Sequence, residues 1–205
     1  VITTRELSRM IKQANIEFTK LEDSKFDNPM GEATGAAAIF GATGGVMEAA
    51  LRTAGDMLTG ESLEKIEFKA VRGGKGIKKA TVNIAGKEIK VVAASGLKNA
   101  REILEEVKSG KADYQFVEIM ACPGGCIMGG GQPIKSSKTR AEEDVRKLRA
   151  DSIYTIDEKS TIRKSHENPI LQKIYKDYLG EAGGERAHKL LHTHYEKREK
   201  YNFET

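Results

Sequence analysis

Two cysteines are all that this 205-residue chain contains. That scarcity excludes a small secreted scaffold held by several disulfides, and the reducing cytosol is the expected compartment. Long apolar runs are missing too: none approaches the roughly 20 residues that a membrane span needs. The opening "VITTRELSRM" lacks the basic-then-apolar layout of a secretion signal. It also lacks an initiator Met, so a processed N-terminus or a piece of a longer chain is expected. Nor does one sign of charge dominate, with 34 Lys and Arg against 30 Asp and Glu, a net +4. The charges are interspersed, as in "EEDVRKLRAD", with no basic stripe between aromatics, and this argues against a nucleic-acid partner. A mildly basic surface would suit an acidic protein partner, but plain solvation explains it as well. There are no repeats and no low-complexity tracts.

What is present, 39% hydrophobic and 31% charged residues, describes a globular chain of one domain or two small ones. Thr3 and Glu6 have capping-box spacing, and Leu7, Met10 and Ile11 follow at helical intervals. A polar connection punctuated by Pro29 and Gly31 leads to "AAAIFGATGG" and then to the helix former "VMEAALRTAGDML", which Gly60 helps to end. Residues 65–93 alternate like strands: "KIEFKAV", "KKATVNI" and "KEIKVVAAS", the last two joined through Ala85-Gly86. This predicts a meander with one buried face. "GLKNAREILEEVKSG" is an amphipathic helix, "YQFVEIM" a buried strand, and "TRAEEDVRKLRADSIYTID" a further helix. After Pro169 two more short helices are expected, then a solvated end. The fold class is α/β, a mixed sheet flanked by helices.

Both cysteines, Cys122 and Cys126, stand in "VEIMACPGGCIMGGGQPIK" with five glycines and two prolines. Four readings compete: buried small residues, a disulfide, a thioredoxin-like pair, and ligation of a metal or cluster. The compartment argues against the disulfide, and three intervening residues do not match Cys-x-x-Cys. Thiolates bind soft iron and zinc, and glycines let main-chain N–H groups approach a bulky anionic cluster. Zinc wants four ligands. His188, His192 and His194 could complete a site, His188 and His192 being i,i+4, although tail histidines are mostly surface or packing residues. A cubane cluster takes four thiolates, and the chain supplies two. "GATGGVMEA" alone would pass for a strand–turn–helix or a weak phosphate loop without the lysine of a P-loop.

"VEIMACPGGCIMGGGQP" resembles the third signature of the catalytic domain of iron-only ([FeFe]) hydrogenases. "GAAAIFGATGGVMEAALRTAGDM" resembles the small-residue segment that passes the active site in that family. "VITTRELSRMIKQANIEF" and "YTIDEKSTIRKSHENPILQKIYKDYLGEAGGERAHKLLHTHY" resemble the stretches before and after them. The resemblance covers essentially the whole chain. It implies one lobe of the two-lobed catalytic domain over 1–150, a helical segment of small-subunit type over 151–195, and a solvated tail over 196–205.

The cofactor it implies is a [4Fe–4S] cubane joined through one cysteine sulfur to a [2Fe] subsite carrying CO, cyanide and a bridging dithiolate. Cys122 would be a terminal cubane ligand and Cys126 the bridge. Met120 would pack against the dithiolate, and Phe40 and Gly41 would line the pocket. Gly44 and Gly45 would permit close packing at the next helix start. The family draws its other two cubane cysteines, its proton relay and a cyanide-contacting lysine from upstream signatures that this chain lacks. The expected partners are therefore the N-terminal half of the catalytic domain and a ferredoxin-like electron carrier. The implied activity is reversible formation of H2 from 2H⁺ and 2e⁻ in an anaerobic hydrogen metabolism. The alternatives are a non-catalytic relative in iron–sulfur assembly and a cluster-free interaction subunit.

Overall fold

The computed structural model describes residues 1–25, 27, 33–63, 68–72 and 76–197, and the chain divides into two compact units after Asn168. The first unit opens with α1 (Thr4–Gln13). Thr3 Oγ1 accepts from the Glu6 N–H at 3.3 Å, and the Glu6 carboxylate accepts from the Thr3 N–H at 2.7 Å. The expected capping box thus satisfies two donors that a helix start leaves without partners. Pro29 and Gly31 lie outside the described residues. The small-residue segment forms two helices, α2 (Gly35–Ile39) and α3 (Gly45–Thr59). Gly60, at φ 73°, closes α3 in the left-handed conformation that favours glycine.

β1 (Ile77–Ile84) and β2 (Lys87–Ser95) make an antiparallel hairpin with Ile84 opposite Lys87. Its two loop residues, Ala85 and Gly86, both have positive φ, matching the twist of the strands they join. α4 (Leu97–Lys108) crosses to β3 (Phe116–Met120), which pairs parallel to β2. The sheet is mixed, in the order β1-β2-β3. Among the described residues, "KIEFKAV" contributes no strand to the sheet. Residues 64–67 lie outside the described residues, and Lys69–Val71 is a short 3-10 turn that still buries Val71. Alternation reports a half-buried extended segment, not which neighbour it takes.

β2 is the central strand, and Val91–Ser95 are all buried because both sheet faces are covered. On one face Met47 and Leu51 of α3 pack with Val71, Val82, Ile84 and Val91. On the other, Ile103 of α4 packs with Val92 and Ala94. β3 was expected to be a buried strand; it is an edge strand whose Ile119 is exposed and whose one fully buried residue is Glu118. After it come α5 (Ser137–Glu142) and α6 (Val145–Lys159). A third cluster, Ile39, Ala42, Ile127 and Tyr154, packs α6 on α2 and on the cysteine loop. α6 runs unbroken through position 150.

The second unit contains α7 (Pro169–Ile174), a π-helical turn at Tyr175–Leu179 and α8 (Glu185–Leu191). Glu196 and Lys197 are exposed, and residues 198–205 lie outside the described residues. Among the described residues no helix is long and apolar enough to cross a membrane.

Candidate metal centre

The site begins with a helix start that lacks a cap of its own. Gly44 stands at the N-cap of α3 with φ 92° and no side chain to offer. The Glu118 carboxylate takes that role from β3. It accepts the Gly44 N–H at 2.6 Å and the Met47 N–H at 2.7 Å, with only 6% of the residue exposed. Its negative charge lies where the helix dipole favours an anion. Glu118→Gln replaces this acceptor by an amide and is expected to cost about 2 kcal/mol, the range of a charged hydrogen bond lost inside a protein. Urea unfolding checks it; a loss below about 0.5 kcal/mol, the level of an ordinary surface change, would refute the role.

The same β3 delivers the cysteine loop, which main-chain bonds hold in place. The Gly124 N–H donates to Ser95 Oγ at 3.2 Å, and the Gly124 carbonyl accepts from the Thr43 N–H at 3.3 Å. The Ile127 N–H donates to the Gly41 carbonyl at 3.1 Å, and the Gly125 N–H to the Cys122 carbonyl at 2.9 Å. Arg149 of α6 donates to the carbonyls of Ile127 and Pro133 at 2.8 and 2.7 Å. Gly125 has no substitute here: at φ 96°, an added Cβ would lie 2.6 Å from the Gly41 oxygen and 2.7 Å from the Thr43 nitrogen. Glycine is therefore the residue that lets the loop lie against the turn between α2 and α3.

Both thiols are free, Cys122 half-buried and Cys126 exposed. Gly129 adjoins the first, since an added Cβ there would be 3.9 Å from Cys122 Sγ. Of the other residues singled out from the sequence, Gly41 lies in the turn that bonds the residue after Cys126. Met120 is half-buried at the end of β3, its carbonyl accepting from the Gly96 N–H at 2.8 Å. Phe40 is 44% exposed. A cleft of about 540 Å³ opens beside the loop, lined in part by Thr43, Arg72, Gly124, Ile127 and Tyr154.

Behind the loop lies a charge network that periodicity does not reveal. Arg52 donates to Asp157 at 2.7 and 2.8 Å and to Glu48 at 2.9 Å, with all three side chains wholly buried. Arg72 bonds Glu48 through two nitrogens at 2.7 Å, and Arg163 bonds Asp157 at 2.6 Å. Burial alone would raise the Asp157 carboxyl, but the two guanidiniums hold it below its ordinary value of 3.8. Only the i,i+4 spacing of Glu48 and Arg52 was visible in the sequence. Asp56, His166 and Glu167 also converge. The Lys164 ammonium already fills that group, 2.7 Å from Asp56 and 3.6 Å from Glu167.

The donor set therefore fits part of an iron–sulfur centre. Two soft thiols stand in one glycine-rich loop fixed at its backbone, against the four thiolates of a cubane. Comparisons with known proteins show what the chain is similar to. The chain is 50% identical over 96% of its length to Iron hydrogenase 1 of Clostridium pasteurianum. It is 34% identical over 95% of its length to Protein NAR1 of Arabidopsis thaliana. It spans 34% and 41% of those two relatives, respectively. It superposes on a variant of the [FeFe]-hydrogenase HydA1 from Chlamydomonas reinhardtii with a TM-score of 0.72 and 40% identity, over 95% of this chain and 55% of that one. The mixed sheet and its helices thus match the C-terminal lobe of that fold. The model of the iron hydrogenase small subunit matches residues 143–198. With the model of the iron only hydrogenase large subunit, C-terminal domain, matching residues 1–130, the chain belongs to the iron-only hydrogenase family.

Proposed function

We propose that this chain is the cluster-bearing C-terminal lobe of a hydrogenase catalytic domain, working with an N-terminal half that supplies the remaining ligands. The observation that carries the reading is the loop of Cys122 and Cys126, anchored through Ser95, Gly41 and Thr43 and braced by Arg149. Cys122 would hold the [4Fe–4S] cubane, and Cys126 would bridge it to the [2Fe] subsite. When bound, that group supplies the iron and the dithiolate amine for the reversible reaction 2H⁺ + 2e⁻ ⇌ H2. The protein's own work is to hold and cover it. The backbone bonds fix where the two sulfurs can be, Gly41 lets the small-residue turn approach, and Met120 and Phe40 would offer soft and aromatic surface to the bound group. Phe40, exposed in this lobe, would be covered by that N-terminal half. The activity would be exchange of electrons with a ferredoxin-like carrier, in the cytoplasm of an anaerobic cell.

A second reading, a non-catalytic member that works in iron–sulfur assembly, is favoured by the 28% identity, over 98% of this chain, to Cytosolic iron-sulfur assembly component 3 of Mus musculus. Infrared spectroscopy of the anaerobically matured, complete protein separates the two. Bands of CO and cyanide are expected with hydrogen turnover. A plain cubane without those bands would replace the first reading by the second.

A further inference from the structure

Three of the chain's four histidines stand together in "HKLLHTH" of the second unit, and the thiol loop makes no use of them. His188 lies on α8 one turn before His192, whose N–H donates to the His188 carbonyl at 3.0 Å. That bond keeps both side chains on one helix face. Their rings stack, with centroids 4.4 Å apart and planes at 22°. At His192 the backbone becomes extended, with φ −110° and ψ 141°. The His194 ring then meets His188 edge-on, 6.0 Å between centroids. All three residues are exposed, so their rings turn without disturbing a core. They also stand at the carbonyl end of α8, where the helix dipole favours a cation.

We propose that His188, His192 and His194 form a site for one divalent transition-metal ion of the zinc and nickel class. Imidazole donors without thiolate suit these ions. The stacked pair is the metal-free arrangement. In the bound one, each ring turns a nitrogen toward the shared ion, and water fills the remaining position. Neutral imidazole is the ligating form, so protons compete with the metal. Binding would tie the extended segment that carries His194 back to a helix of only seven residues, a length that holds poorly by itself. The proposal does not rest on the cluster chemistry.

The test is a Zn²⁺ titration of the full chain carrying Cys122→Ser and Cys126→Ser, which removes competing thiolates. Ring-nitrogen chemical shifts are read for each histidine. The signals of His188, His192 and His194 are expected to move together and saturate at one equivalent, while His166 stays in place. His188→Ala and His192→Ala should each weaken binding at least tenfold, about 1.4 kcal/mol. Circular dichroism shows that each variant keeps its helices. Three rings that titrate independently, or an affinity unchanged by His188→Ala, would overturn the site.

Discussion

In the assembled protein, Cys126→Ala is expected to lower hydrogen turnover by more than about a hundredfold, beyond the 10- to 100-fold that losing a group behind a metal ligand costs. The loop itself should survive. Cys126 is exposed, and the bonds that seat the loop run through main-chain atoms of its neighbours and through its own carbonyl, which accepts from the Gly129 N–H at 3.0 Å. An exposed side chain with no packing role is worth no more than about 0.5 kcal/mol to stability. The metal-free variant should therefore unfold at the same urea concentration as the parent. Cys126→Ser should not restore turnover, because a hydroxyl is a hard donor where a soft thiolate is required. Turnover within a tenth of the parent level would remove Cys126 from the bridging role and leave the thiol as a surface residue.

Arg52→Ala should be the most damaging substitution away from the loop. It would leave Glu48 and Asp157, both fully buried, with one guanidinium each where two now serve. Removing one partner from a buried ion pair costs about 3–5 kcal/mol, a large part of the roughly 5–15 kcal/mol that holds a domain folded. Chemical denaturation measures it; a loss under about 1 kcal/mol would mean that water enters and re-solvates the carboxylates. The network also sets a pH dependence. Asp157 has a depressed carboxyl in the folded state, so its stabilisation is complete above the unfolded-state value, near 3.9, and is lost as pH falls through the lower folded value. Asp56 acts in the same direction: burial raises it, while the Leu63 N–H, Lys164 and His166 hold it down further. Acid unfolding should therefore steepen below about pH 4, and Asp157→Asn should flatten that limb.

The elements set by local chemistry were readable in advance. The capping box at Thr3 and Glu6, the Ala85-Gly86 turn and the helices after Pro169 depend on neighbours in the chain, and each stands where expected. Residues fixed by distant partners were not readable. Glu118 sits inside an apolar strand, where a lone carboxylate is normally assigned to the solvent side. It turns inward because Gly44, in another part of the chain, begins a helix with no side chain to cap it. Arg52 carries no local signal either, since its partner Asp157 lies 105 residues away. The thiol pair is singled out by the likeness of its loop to a family signature, since spacing and glycines alone leave four readings open. Its seat on Ser95, Gly41 and Thr43 depends on how β2 and the α2–α3 turn are brought together, which no local pattern encodes.

The Glu118 carboxylate joins positions 74 and 71 residues away. Contacts of that span close only after the chain between them has collapsed, since the entropy of closing so long a loop must first be overcome. During folding, therefore, the loop that follows β3 stays unanchored until these long-range contacts close. Until then Cys122 and Cys126 stand in a segment that lacks its main-chain anchors. The placing of the two thiols thus depends on one buried carboxylate of the strand before them.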